Sequence, residues 1–143
     1  DVYKDGPETL IEHAVQVPLH NPLLQISAMA AATKHLGFAA TYSATYAEPY
    51  KLARDFSTLD HLTKGRVAWN IVTSYLKSEA VNLGLANQIE HDRRYERADE
   101  YMDVVYKLWE HSWEEDAVKA DVETGVYFAA TQIGGVNQHW VDY

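Results

Sequence analysis

His91 and Tyr95 stand four residues apart in the run EHDRRYERADEY, so on a helix they share one face. An imidazole and a phenol side by side suit a phosphate or the edge of a flavin. The other reading is an interior histidine beside a core tyrosine, and residue type and spacing alone favour it. A second group of polar residues gathers in two short segments, GFAATYSAT and RVAWNIVTS. Thr41, Ser43, Thr45, Asn70, Thr73 and Ser74 offer hydroxyls and an amide, which bond a polar ligand without adding charge. They could equally cap the helices that follow. Gln16 and Tyr75 are polar residues in flanking loops, and unaided both read as surface.

Other chemistries find little support. There is no cysteine, so disulfide and thiolate chemistry are closed, which agrees with a cytoplasmic setting. No P-loop, GxGxxG or GxSxG motif occurs, and the histidines show no metal-ligand grouping. The formal charge is −9 with no basic patch, which argues against nucleic acid as a partner. No run of eighteen apolar residues suggests a membrane span, and DVYKDGPETL does not read as a secretory signal.

The elements that would position these residues follow from periodicity. Residues 1–22 read as loop with a short helix around Glu8–Val15. Pro22 opens a helix over about Leu23–His35, with Leu23, Ile26, Met29 and Ala30 at helical spacing and Gly37 as its stop. Gly37–Thr45 reads as a strand. Pro49 opens a helix with Leu52, Ala53, Phe56, Leu59 and Leu62 on its apolar face, closed by Lys64 and a left-handed Gly65. Arg66–Ser74 reads as a strand buried on both faces. After a loop, Tyr75–His91, a helix covers about Asp92–Ser112. Tyr95, Ala98, Met102, Val105, Leu108 and Trp109 mark its inward stripe, with Arg94 on the wet side. Strands alternating with helices predict parallel pairing of Gly37–Thr45 with Arg66–Ser74. Ligands of such folds sit at the carboxyl ends of the strands. A (β/α)8 barrel needs roughly 250 residues, so 143 residues predict part of a barrel or a small open α/β fold.

The segment from NPLLQISAMAAATKHLGFAATYSAT to FSTLDHLTKGRVAWNIVTS, with EHDRRYERADEYMDVVYKLWEHSWEEDAV after it, resembles one family. It is the luciferase-like flavin monooxygenases, in the subgroup of nitrilotriacetate monooxygenase component A, dibenzothiophene-sulfone monooxygenase and long-chain alkane monooxygenase. The resemblance covers about Val15–Tyr127, and 128–143 diverges. It implies a luciferase-like TIM barrel of which this chain is a central fragment, with about two parallel strands and their helices over 1–143. It implies reduced FMN supplied by a separate NAD(P)H:flavin reductase, and insertion of one oxygen atom from O2 into a small organic substrate. It also implies a homo-oligomeric, full-length enzyme and an inactive isolated fragment. Carried over by position, Thr41, Asn70, His91 and Tyr95 match cofactor contacts, and Gln16 and Tyr75 match the substrate side of the catalytic site. Two other readings share the scaffold: a flavin- or deazaflavin-dependent hydride transfer, and a non-catalytic barrel fragment.

Overall fold

The computed structural model describes residues 8–15 and 18–135. After a single exposed turn, α1 (Glu8–Glu12), comes α2 (Pro22–Ala32). Asn21 starts α2 by accepting the Leu23 N–H on Oδ1 at 3.0 Å, and Pro22 fills the position where an N–H is not needed. Leu23, Ile26 and Ala30 are buried. Met29, expected on that face, is exposed, and the helix ends at Ala32, well before Gly37. Thr33 turns the chain into extended backbone, its hydroxyl donating to the Met29 carbonyl at 2.8 Å.

Strand β1 (Phe38–Ser43) and strand β2 (Val67–Val72) pair in parallel, with Thr41 opposite Asn70. Helix α3 (Pro49–Thr63) joins them. This is the expected βαβ unit, and among the described residues its sheet does not close into a barrel. Leu52, Ala53, Phe56 and Leu59 of α3 are buried, whereas Leu62 is exposed. The left-handed cap falls on Lys64 (φ 57°), with Gly65 also at positive φ (77°) and donating to the Asp60 carbonyl. Two consecutive left-handed residues turn the chain sharply into β2.

One face of this sheet meets the helices. Phe38 and Ala40 are buried there, and Trp69 packs between Phe56 (5.7 Å between ring centroids) and Tyr101 (6.0 Å). On the opposite face Ala39, Thr41, Ala68 and Asn70 are exposed. The expectation that β2 is covered on both faces is therefore not met. The described helices that cover the sheet all share one side, and the period of two sends alternate residues to the open side.

A short α4 (Lys77–Asn82) interrupts the segment expected to be loop, and α5 (His91–Glu110) follows. The buried stripe of α5 is Arg94, Ala98, Tyr101, Val104 and Val105. It is rotated by about one residue from the stripe read in the sequence. Tyr95, expected inward, is 52% exposed, and Tyr101 is wholly buried. Arg94 takes the inward place because its Nη1 donates to the Ile89 carbonyl at 2.7 Å, giving the buried charge a partner. Beyond α5, β3 (Val118–Asp121) and β4 (Val126–Phe128) form an antiparallel hairpin that the apolar pattern did not disclose. Among the described residues no helix is long and apolar enough to cross a membrane.

Candidate functional site

Parallel pairing sets Thr41 and Asn70 side by side on the open face, near the carboxyl ends of their strands. Asn70 Nδ2 donates to Thr41 Oγ1 at 3.0 Å. One amide proton, the amide oxygen and the threonine hydroxyl proton are left for a ligand. Both residues are exposed. The pair is the cross-strand consequence of register, since Thr41 and Asn70 occupy the same rung.

The other hydroxyls at the strand ends do something else. Ser74 Oγ donates to Ser43 Oγ at 2.7 Å, and Ser43 Oγ also accepts the Thr45 N–H at 3.1 Å. Thr45 Oγ1 donates to the Thr73 carbonyl at 2.7 Å. They lace the tips of β1 and β2 together. The helices that follow, α3 and α4, begin at Glu48 and Leu76 with no side-chain cap, so helix capping is not their role. Ser74 holds this position at φ 58°, a left-handed conformation that costs a non-glycine residue energy. Tyr75, next in sequence, is 72% exposed. Gln16 lies outside the described residues.

His91 and Tyr95 open α5 with ring centroids 5.0 Å apart, both exposed. The interior reading of this pair is thereby excluded. His91 Nδ1 lies 2.7 Å from Asp92 Oδ1, which leaves Nε2 without a partner among the described residues. Glu90 accepts the Asp92 and Arg93 N–H groups and caps the helix. Two contacts bring this end of α5 to the end of β1. Arg97 Nη2 donates to the Thr45 carbonyl at 3.3 Å, and the Tyr46 hydroxyl donates to Gln88. The Thr41–Asn70 pair and the His91–Tyr95 pair thus belong to the same end of the sheet, though no hydrogen bond joins them among the described residues.

Beside β1 a cavity of about 860 Å³ opens between the segment leading into α2, the end of β1 and α4. Thr41 reaches it, whereas Asn70, Tyr75, His91 and Tyr95 do not line it. Its wall includes His20, Tyr46 and Glu79, none of which the sequence had singled out for a site. Burial raises the Tyr46 hydroxyl's pKa above its ordinary value, opposed by the hydrogen bond from the Ile89 backbone and reinforced by the negative field of Glu79. No periodic pattern announces α4, so nothing in the sequence could bring Glu79 to this wall.

Comparison with known proteins agrees with the fold. The sequence profile of the luciferase-like monooxygenases matches residues 7–133. The dimethyl-sulfide monooxygenase of Hyphomicrobium sulfonivorans is 56% identical over 96% of this chain and 28% of its own length. The long-chain alkane monooxygenase of Geobacillus thermodenitrificans is 53% identical over 96% of the chain and 31% of its length. The crystal structure of a riboflavin lyase with modified FMN and riboflavin superposes with a TM-score of 0.89 at 33% identity, over 100% of this chain and 32% of that one. The chain spans less than a third of the length of each of these relatives.

Proposed function

The chain belongs to the luciferase-like monooxygenase family, and on that premise we propose that it forms part of the flavin site of a two-component monooxygenase. Reduced FMN comes from a separate NAD(P)H:flavin reductase, and one oxygen atom of O2 enters a small organic substrate. The observation that carries this reading is the Thr41–Asn70 rung, a neutral donor and acceptor pair at the carboxyl ends of two parallel strands, where ligands of such sheets bind.

The residues present fit the cofactor. An imide edge needs an acceptor for its N–H and donors for its carbonyls. The Asn70 amide oxygen, its second amide proton and the Thr41 hydroxyl proton remain available for that. At the head of α5, His91 Nε2 and the Tyr95 hydroxyl suit phosphate oxygens, a protonated His91 adding charge to its hydrogen bond. When bound, reduced FMN supplies the electrons that activate O2. The protein's share is orientation and exclusion of water. Tyr75, exposed beside the left-handed Ser74, and Gln16 belong to the substrate side in this reading.

The test supplies the full-length enzyme that carries this segment with FMN, NADH and a flavin reductase under 18O2, against a panel of small organic sulfides, sulfones and alkanes. Substrate-dependent oxygen uptake with a single 18O in the product is expected, and Asn70→Ala should suppress both. Label-free products, or uptake indifferent to every substrate, would count against the proposal.

A further inference from the structure

The cavity beside β1 has apolar walls from Leu19, Pro22, Tyr42 and Leu83. Four of its polar side chains already have partners within the protein. Asn21 Oδ1 caps α2, and Ser43 Oγ is held by Ser74 and Thr45. Tyr46 donates its proton to Gln88, and Thr41 accepts from Asn70. Glu79 is different. It lines the cavity with no lysine or arginine among the described lining residues. Arg94 and Arg97 are the nearest cationic influences on Tyr46, but they lie outside the lining and donate to the Ile89 and Thr45 carbonyls.

We propose that this cavity is the substrate-side pocket and that Glu79 makes it selective for uncharged organic molecules over anionic ones. Naming the occupant a substrate rests on the monooxygenase reading above, whereas the charge selectivity does not. The apolar part of the wall gains by burying a small organic molecule. An anion placed there gives up its hydration and meets a like charge in partly desolvated surroundings, with no lining cation to offset either cost. The same argument assigns the phosphate of a flavin elsewhere. His20 also lines the cavity, and the discrimination is read at pH 8.

Benzyl alcohol and benzoate, nearly equal in size and opposite in this respect, are the probes. Their binding to the full chain, without flavin, is measured by saturation-transfer NMR and equilibrium dialysis. Benzyl alcohol should bind, with benzoate weaker by roughly tenfold, the discrimination expected of one partly screened like charge. Glu79→Gln should close most of that gap while leaving benzyl alcohol unchanged. Leu83→Lys, which adds a cation to the wall, should raise benzoate binding above that of the unsubstituted chain. Benzoate binding as well as benzyl alcohol, a gap that survives Glu79→Gln, or no binding of either probe would each overturn the proposal. Because flavin and oxygen are absent, this selectivity in the chain together with failure of the full-length enzyme in the 18O assay would overturn the monooxygenase reading alone.

Discussion

Tyr95 presents its phenol to solvent from the second turn of α5, 5.0 Å from the His91 ring. A hydroxyl so placed makes no contribution to the core, so Tyr95→Phe should leave stability unchanged. If it holds a phosphate oxygen, its loss removes one hydrogen bond, about 1 kcal/mol, and weakens reduced FMN roughly fivefold. His91→Ala should cost more, because a protonated imidazole makes a charge-assisted bond. Anaerobic titration of reduced FMN into both variants decides the matter, and unchanged affinity in both would remove this pair from the cofactor site. The spacing of His91 and Tyr95 was legible in the sequence, as was the hydroxyl-rich end of each strand. The division of labour among those hydroxyls was not. Thr41 and Asn70 face outward on one rung while Ser43, Thr45 and Ser74 knit the tips together. That distinction depends on register and on the left-handed Ser74, neither of which residue type encodes. Glu79 and Tyr46 escaped notice because each meets the other only through the fold of α4.

Arg66 shows how the elements are held in register. Its Nη1 donates to the Leu36 carbonyl at 2.7 Å, Nη2 to Ala30 at 3.2 Å and Nε to Thr63 at 2.7 Å. The guanidinium also lies over Phe38, 5.4 Å from the ring centroid. One side chain therefore ties the end of α2, the start of β1 and the end of α3. Arg66→Ala should cost about 2 kcal/mol in urea unfolding, and Arg66→Lys should recover little of it, because an ammonium lacks the planar fork. Full recovery by lysine would show that charge alone matters there. In the β3–β4 hairpin the corresponding residue is Asp121, whose carboxylate accepts the Thr124 hydroxyl and the Thr124 and Glu123 N–H groups. The Thr124 hydroxyl, with those two N–H groups, holds the Asp121 carboxyl below its usual range. Its folded pKa is thus depressed, so its contribution is present above the unfolded value of about 3.9 and disappears as pH falls through the lower, folded value. Amide protection at Glu123 and Thr124 should fade in acid, and Asp121→Asn should flatten that dependence. The βαβ core was readable because Leu52, Phe56 and Leu59 keep period 3.6 and VAWNIV is apolar except at Asn70. The hairpin was not, since every residue of β3 and β4 is exposed and an exposed ribbon leaves no apolar alternation to read. The stripe of α5 lies one position from the sequence pattern because charge alone places Arg94 outward, whereas its hydrogen bond to Ile89 allows it inside.

Across the molecule, the sheet of β1 and β2 has two strands among the described residues, so each presents an edge. Alongside β2 runs a groove of about 530 Å³ walled by Phe56, Val67, Trp69, Ile71, Met102 and Trp109. Unpaired strand edges beside apolar surface invite pairing with another chain. Against this stands the net charge of −9, which makes approaching copies repel one another. The two effects differ in range. Repulsion between like-charged chains acts across about 30 Å at 0.01 M salt and only about 8 Å at 0.15 M, whereas strand pairing and apolar burial act at contact and are hardly screened. Self-association of this chain should therefore increase with salt as well as with concentration. Ile71, 45% exposed on β2, lies where a charge would oppose edge pairing with least disturbance to the core, so Ile71→Lys should shift the chain toward monomer. Sedimentation velocity at low and physiological salt, with and without that substitution, measures both effects. A monomer at every salt and protein concentration would show that this face does not pair. Association that weakens as salt is added would show that the contact is made by charged groups and not by the open edge.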